Sequence, residues 1–499
     1  MISSSTIPLF MAIPLGGAFL CALLGKRVKS AADGIGIMAV VGVFMLSIFS
    51  VITLQATDGG RLTTAIGNWQ APYGIQLVLD SFTSFMLVTV NLIAFLVMIY
   101  SISYMTRYTD KWKFHTLFLL MLAGMNGVVI TGDLFNLFVF LEVASIASYA
   151  LVAFGTGKNE LEAAFKYAVM GSMGSLLILL GIGFLYSYTS TLNMADMAER
   201  LQLLGDSRIT LTAMVMFLMG FGLKAAMVPF HAWLPDAHPS APAPISAMLS
   251  GVLIKALGIY AICRLLFNVF GMAPQVSSLL MVFAAVSMAV GAVLALKQWD
   301  MKRLLAYSSI SQVGYILLGI GIGTPLALLG ALFHLFNHAV FKSLLFLDSG
   351  AVEYATGTRD LRKMGGLSSR LPITSGSTLI ASASVAGIPP FAGFWSKLII
   401  ILAAVQAGYW FYAAWAVVIS VITLAYVMKI TRYGFLGRIK KQLEVIVEVP
   451  AFMRIALVAL ALICLLGGLL LLPGVREGFL GQASDVLSRG VVTLSEVVR

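Results

Sequence analysis

An all-α, polytopic membrane protein is the fold class that the sequence predicts, and three observations predict it. Of the 499 residues, 60% are hydrophobic and 11% charged, with a mean hydropathy of +0.97; ordinary soluble domains are about a quarter charged. Apolar runs of about 20 residues, the length that crosses about 30 Å of hydrocarbon as helix, recur from end to end. The runs are continuous and lack the ten-residue alternation of a membrane barrel, so the backbone must satisfy its own hydrogen bonds as helix.

About 14 spans follow, at 6–25, 34–56, 80–103, 114–131, 134–155, 161–188, 209–229, 244–268, 276–296, 303–321, 326–347, 373–402, 408–430 and 453–472. The first run, Ile7 to Gly25, is followed by Lys26, Arg27 and Lys29 and has no basic residue before it, which predicts a retained helix rather than a cleaved signal. The loops 26–33, 104–113, 156–160, 297–303, 348–370 and 429–454 hold about 20 Lys and Arg, and the alternate loops with the tail about 7. Basic loops stay in the cytoplasm, so both termini are predicted outside a cell (inner) membrane.

Orientation therefore accounts for the net charge of +11. The charges sit in short juxtamembrane loops, with no aromatic-studded basic face, so nucleic acid is not a predicted partner. Cys21, Cys263 and Cys464 all lie in apolar spans without a CxxC, and no GxxxxGK[ST] occurs. Disulfides, iron–sulfur clusters, zinc and P-loop nucleotide binding are unsupported, and no cofactor or metal is expected.

Between spans there is no room for a soluble domain longer than about 30 residues, so residues 1–499 read as one transmembrane domain. The seventh and twelfth spans are interrupted. One holds Lys224 followed by Pro229; the other holds Gly387-Ile388-Pro389-Pro390-Phe391 followed by Lys397. Proline removes a donor and clashes with the preceding turn, so both helices should break near mid-membrane beside a lysine. Two such breaks point to an inverted-repeat transporter and its ion site. Loop 189–208 reads as an external helix or cap. The tail 473–499, with Val486, Leu487, Val491 and Leu494 among charged residues, reads as an external amphipathic end.

Ionisable residues inside a span cost about 2.5–3.5 kcal/mol each and line protein interiors or water paths. Glu142 sits mid-span behind Leu137-Phe138-Val139-Phe140-Leu141; Lys224 and Lys255 lie inside the seventh and eighth spans. His334, His338 and Lys342, at i, i+4 and i+8, share one face of the eleventh. One buried acid alone can be a structural ion pair; an acid, three lysines and a histidine stripe together argue for a path. An amine removed from water gives up its proton more readily, and a carboxylate at about 4 Å restores its hold, so pairing decides when such a lysine is charged.

The expected order is Glu142 setting the charge of Lys224, exchange through water with Lys255, lateral relay by His334, His338 and Lys342, and release at Lys397 to the other side. His231, Asp236 and His238 flank one end of the broken seventh span as candidate proton-uptake residues; their Pro-rich loop offers no fixed metal geometry. Glu162 and Lys166 read as an i, i+4 helix pair. Asp300, Lys302 and Arg303 read as a helix start that fixes topology.

These residues carry a resemblance. Thr131-Gly132-Asp133-Leu134-Phe135-Asn136-Leu137-Phe138-Val139-Phe140-Leu141-Glu142 resembles the fifth-helix motif of the D-type chain of Mrp-type sodium/proton antiporters and of the matching chain in membrane-bound hydrogenases. Segment 223–255, with Pro229-Phe230-His231-Ala232-Trp233-Leu234-Pro235-Asp236-Ala237-His238, is similar to the M and N type subunits of complex I, and Arg303-Leu304-Leu305-Ala306-Tyr307-Ser308-Ser309-Ile310 resembles another hallmark of the family. The likeness covers nearly the whole chain. It implies fourteen helices, inverted repeats of helices 4–8 (112–268) and 9–13 (276–430), and a central polar axis through Glu142, Lys224, Lys255 and Lys397. M-type complex I subunits have a glutamate where this chain has Lys397.

The expected function is proton translocation as the antiporter-like subunit of a redox-driven complex, membrane-bound hydrogenase or complex I-like. The alternative is the D-type chain of an Mrp antiporter moving sodium against protons. Partner subunits must then supply the redox centres or the counter-ion site. A polytopic membrane enzyme would gather acid, base and nucleophile near an interface, whereas these charges are dispersed at mid-depth. A scaffold with dead channels would need the acid and lysines to be dispensable.

Overall fold

The computed structural model describes residues 2–57, 60–205 and 207–492. The helices begin with α1 (Leu9–Leu24) and α2 (Lys29–Gln55). An antiparallel hairpin follows, β1 (Arg61–Ala65) and β2 (Gln76–Asp80), pairing Arg61 with Asp80 and Ala65 with Gln76. Then come α3 (Ser81–Tyr104), α4 (Lys111–Ile130), α5 (Leu134–Val152), α6 (Lys158–Thr189), α7 (Met194–Leu204), α8 (Arg208–Lys224) and α9 (Leu234–Ser240). The next span, Ala243–Val269, joins α10 (Ala243–Met248) and α11 (Tyr260–Cys263) through π turns at Leu249–Leu253 and Lys255–Ile259. The remainder are α12 (Pro274–Lys297), α13 (Met301–Ile322), α14 (Pro325–Thr356), α15 (Pro372–Ala386), α16 (Ala392–Gln406), α17 (Trp410–Ile430), α18 (Ala451–Leu466) and α19 (Gln482–Ser488).

Among the described residues, twelve segments are helices long and apolar enough to cross a membrane. The other two of the fourteen predicted spans are the interrupted ones. Helix α8 stops at Lys224 and helix resumes at Leu234; α15 stops at Ala386 and α16 begins at Ala392. Helix starts are written locally. The side chains of Asp80, Asp133, Ser207 and Asp300 each accept from a backbone N–H three residues on, filling donors that a helix start leaves unpaired.

The centre of the bundle is the Ala243–Val269 span with α13 and α14, whose apolar stretches are almost wholly buried, while Phe19, Met38, Phe165 and Val421 on outer helices are exposed, as lipid-facing side chains are. Expected as a cap, loop 189–208 contains α7. The tail does not float free as far as Gly490. Helix α19 packs against α3 and α14, burying Leu487, and Asn268 donates to the carbonyls of Val486 and Gly490. Leu494 lies outside the described residues.

Glycine makes the second break possible. A Cβ on Gly393 would stand 1.9 Å from the Ser384 carbonyl oxygen, backbone that cannot swing aside. Gly393→Ala is therefore expected to cost about 1–3 kcal/mol, read as a lower thermal unfolding midpoint of the detergent-solubilised protein; an unchanged midpoint would show that the two half-helices are free to separate.

Candidate ion pathway

Glu142, on α5, and Lys224, the last residue of α8, meet with Nζ 3.8 Å from Oε1. The lysine is 3% exposed and the acid 26%, so the pair opens on one side. Lys224 also donates to Ser145 Oγ at 2.9 Å and Tyr149 OH at 3.3 Å, and Ser175 donates to Glu142 through a short bond. Backbone groups freed by the break find partners. Trp233 Nε1 donates to the Leu223 carbonyl, and the Val228 N–H donates to Ser287 Oγ, so this irregular stretch is held and not merely unwound.

Lys255 is fully buried in the second π turn, a helix irregularity that recurs at functional sites. Its Nζ donates to the Ser250 carbonyl at 2.5 Å, and no ion-pair partner stands beside it among the described residues. Ser250 Oγ lies 2.7 Å from Ser309 Oγ. The neighbouring Ser308 Oγ accepts from Lys342 Nζ at 2.6 Å and donates to Tyr426 OH. Two adjacent serines of α13 thus stand between Lys255 and Lys342.

Along α14, the His334 and His338 rings have centroids 6.4 Å apart, and both are fully buried. His334 Nδ1 is 2.9 Å from Ser396 Oγ on α16, the residue before Lys397. His334 Nε2 and both nitrogens of His338 have no hydrogen-bond partner in the protein. Lys397 is 3% exposed; it donates to the Val385 carbonyl at 2.8 Å and to Ser420 Oγ at 3.2 Å, and lies 4.6 Å from the centre of the Tyr315 ring. The row therefore holds one acid and four amines, of which only Lys224 has a carboxylate within ion-pair range among the described residues.

The three candidate uptake residues are placed differently from one another. Asp236 forms ion pairs with Lys166 and Arg303 in a polar cleft of about 320 Å³, and Lys166 also pairs with Glu162, as its spacing predicts. His231 is half-buried. His238 is fully buried against Phe346, ring centroids 4.4 Å apart, and neither nitrogen has a partner in the protein. Lys302, expected at a helix start, is buried and reaches Glu353 at 3.3 Å.

Sequence reading passed over several groups: the serine pair Ser308 and Ser309, Gln312 buried beside Tyr426, Asp348, and the Asp80–Arg264 ion pair at 2.6 Å. Hydroxyls are common in membrane helices and give no signal of their own. Arg264, a charge inside an apolar run, did give one.

The chain is similar to known membrane proteins in both sequence and fold. Residues 131–423 match the family described as NADH:quinone oxidoreductase/Mrp antiporter, TM, and residues 65–115 match the N-terminal region of chain 5 of NADH-ubiquinone oxidoreductase (complex I). The chain is 39% identical over 425 residues to the D-type chain of the Na(+)/H(+) antiporter of Alkalihalophilus pseudofirmus, covering 85% of each. It is 40% identical over 376 residues to the N-type chain of the NADH-quinone oxidoreductase of Desulforudis audaxviator, covering 74% of this chain and 75% of that one. A chain in the structure of the membrane-bound sulfane sulfur reductase, an archaeal respiratory membrane complex, superposes with a TM-score of 0.90 at 30% identity over 99% of both chains.

Proposed function

Because this chain belongs to the NADH:quinone oxidoreductase/Mrp antiporter transmembrane family, we propose that it carries protons along Glu142, Lys224, Lys255, Lys342, His338, His334 and Lys397 as one multi-pass subunit of a larger membrane complex. The observation that carries this reading is the set of buried amines and imidazoles with hydroxyls between them and a single carboxylate beside them. Buried charge without a counter-charge is tolerated where water reaches it. Ring nitrogens without protein partners are the places where ordered water binds.

Glu142 then acts as the variable partner. When the carboxylate faces Lys224 the ammonium is held; when its charge is lost, or the pair separates, Lys224 releases a proton towards Lys255. The two broken spans, one in each of 112–268 and 276–430, support an inverted-repeat arrangement with α8 and α15–α16 as counterparts. The basic loops are read as facing the cytoplasm and both termini as facing out. Buried His238 beside the first break is the proposed uptake residue.

Redox-driven partners are the reading we favour, on the superposition over 99% of both chains with one chain of a respiratory complex. A D-type role in sodium/proton antiport is the second reading and is equally supported, by 39% identity across 85% of each chain and by superposition on a chain of a solved Mrp complex at the same TM-score of 0.90. Purifying the complex and assaying proteoliposomes separates them: proton movement that follows electron donor and needs no sodium supports the first, and sodium-coupled movement with no electron donor the second. In either, Glu142→Gln and Lys224→Ala are expected to lower proton flux about fivefold or more, a barrier change of about 1 kcal/mol. Normal flux in Lys224→Ala would overturn the path.

A further inference from the structure

Asp348 has no part in the row described above, yet it is a fully buried carboxylate in a membrane helix and no ion-pair partner stands beside it among the described residues. Such a group is expensive to keep, which makes it a functional candidate by default. Its Oδ1 accepts from Ser377 Oγ on α15 at 2.6 Å; its Oδ2 makes no hydrogen bond in the protein. Around it stand the Thr378 hydroxyl, Cys464 of α18, and Tyr100 of α3, whose OH donates to the Leu347 carbonyl.

Helix α15 carries a buried polar stripe past this acid. At its start Thr374 Oγ1 donates to Glu448 Oε1 at 2.8 Å, and Glu448 is only partly buried, in the loop before α18. Ser377 and Thr378 come one turn later, then Ser382, buried and with no partner for its hydroxyl, then Val385, whose carbonyl accepts from Lys397 Nζ. Positions 374, 378, 382 and 385, spaced by four, four and three, share one helix face. Ser377 to Val385 spans about 12 Å along the axis.

We propose that Glu448, Thr374, Ser377, Asp348 and Ser382 form a proton branch between Lys397 and the face that carries the basic loops 357–371 and 436–450. It rests on the proton path proposed above and gives that path's last lysine a route to the basic face, where sequence reasoning expected release on the other side. Glu448 exchanges a proton with bulk water. Each hydroxyl passes one on by accepting at oxygen and donating its own. The Asp348 carboxylate gains an O–H bond, and that bond breaks as the neutral Lys397 amine, reached through water beside Ser382, forms N–H; the reverse sequence returns the proton to bulk.

The test uses the intact complex in proteoliposomes. Asp348→Asn is expected to lower proton flux about tenfold and Ser377→Ala less, with Asp348→Glu restoring much of it. Independently, Ser382→Cys should react with a membrane-impermeant thiol reagent added on the basic face and not on the opposite one, which needs no assembly of the Asp348 variant. Cys464, which stands beside Asp348, is replaced by serine in the labelling background, where the native Cys21 and Cys263, buried on other helices, remain. Flux in Asp348→Asn within about twofold of normal, or labelling of the Ser382→Cys variant only from the opposite face, overturns the branch. Lys397→Ala separates the two levels: if it blocks transport while Asp348→Asn does not, the branch alone is wrong, and if neither it nor Lys224→Ala blocks transport, the path itself is wrong.

Discussion

Replacing Lys255 with alanine is expected to reduce proton flux through the reconstituted complex by about 100-fold, a barrier increase of about 2.7 kcal/mol. Lys255 is the one amine between the Glu142–Lys224 pair and Lys342, and no hydrogen bond joins Lys224 to Lys342 directly among the described residues. Removing the amine leaves neutral hydroxyls, Ser250 with the serine pair of α13, at that point. A proton crossing there would meet a stretch of low-dielectric packing, where an unpaired charge costs several kcal/mol.

Lys255→Arg tells charge from proton carriage. A guanidinium keeps the positive charge and can still donate to the Ser250 carbonyl, but it does not give up its proton. Flux should therefore stay low in Lys255→Arg even where assembly and thermal stability are normal. If the arginine variant transported at the normal rate, Lys255 would act as a fixed charge that positions its neighbours, and the proton would have to pass through water alone.

Which of these groups the sequence could reveal follows from how far apart their partners lie along the chain. Spans were legible because the bilayer imposes a length and an apolar content on every helix, and the two breaks because Pro229 and the Pro389-Pro390 pair each stand beside a mid-span lysine. Glu142 and Lys224 were legible singly, as charges in apolar runs, and their pairing was expected from the chemistry of an amine removed from water and implied again by the resemblance. Asp348 was not legible in this way. An apolar run that ends at Leu347 makes the next acid look like the start of a loop, whereas α14 continues to Thr356 because that acid turns inward to Ser377 on a neighbouring helix. The serine steps were equally hidden, since Ser308 becomes a ligand of Lys342 only when α13 and α14 pack side by side.

What the tail packs against was hidden for a related reason. Its apolar residues predicted an amphipathic end without saying what it would cover, and the partner is Asn268, more than two hundred positions earlier in the chain. Long-range partners of this kind are set by the way the bundle closes, which no local period records.

Arg264→Ala is expected to be the most destabilising single change in the chain, by about 3–5 kcal/mol, because it strands a charge. Asp80 is 2% exposed and caps α3 with one oxygen, which also receives Arg264 Nη2 at 2.6 Å. The same guanidinium reaches Thr83 Oγ1, Tyr260 OH and Asn268 Oδ1, and Tyr260 in turn donates to the Val129 carbonyl. One side chain therefore ties α3, α4 and the Ala243–Val269 span together at the end remote from the basic loops. Alanine leaves Asp80 buried without the guanidinium hydrogen-bonded to it, Arg61 being the remaining cation that acts on it, so the thermal midpoint of the solubilised protein should fall sharply. Pairing the change with Asp80→Leu removes the stranded acid, and the double variant Asp80→Leu/Arg264→Met should melt well above Arg264→Ala. Equal melting of Arg264→Ala and the unaltered protein would mean that water reaches this pair and dissolves its worth. The clamp also bears on transport. Arg264 lies nine residues beyond Lys255 on the same span, about 13 Å along a helix axis, so loosening it lets the π turns around Lys255 relax, and flux should fall with stability in Arg264→Ala and recover with it in the double variant.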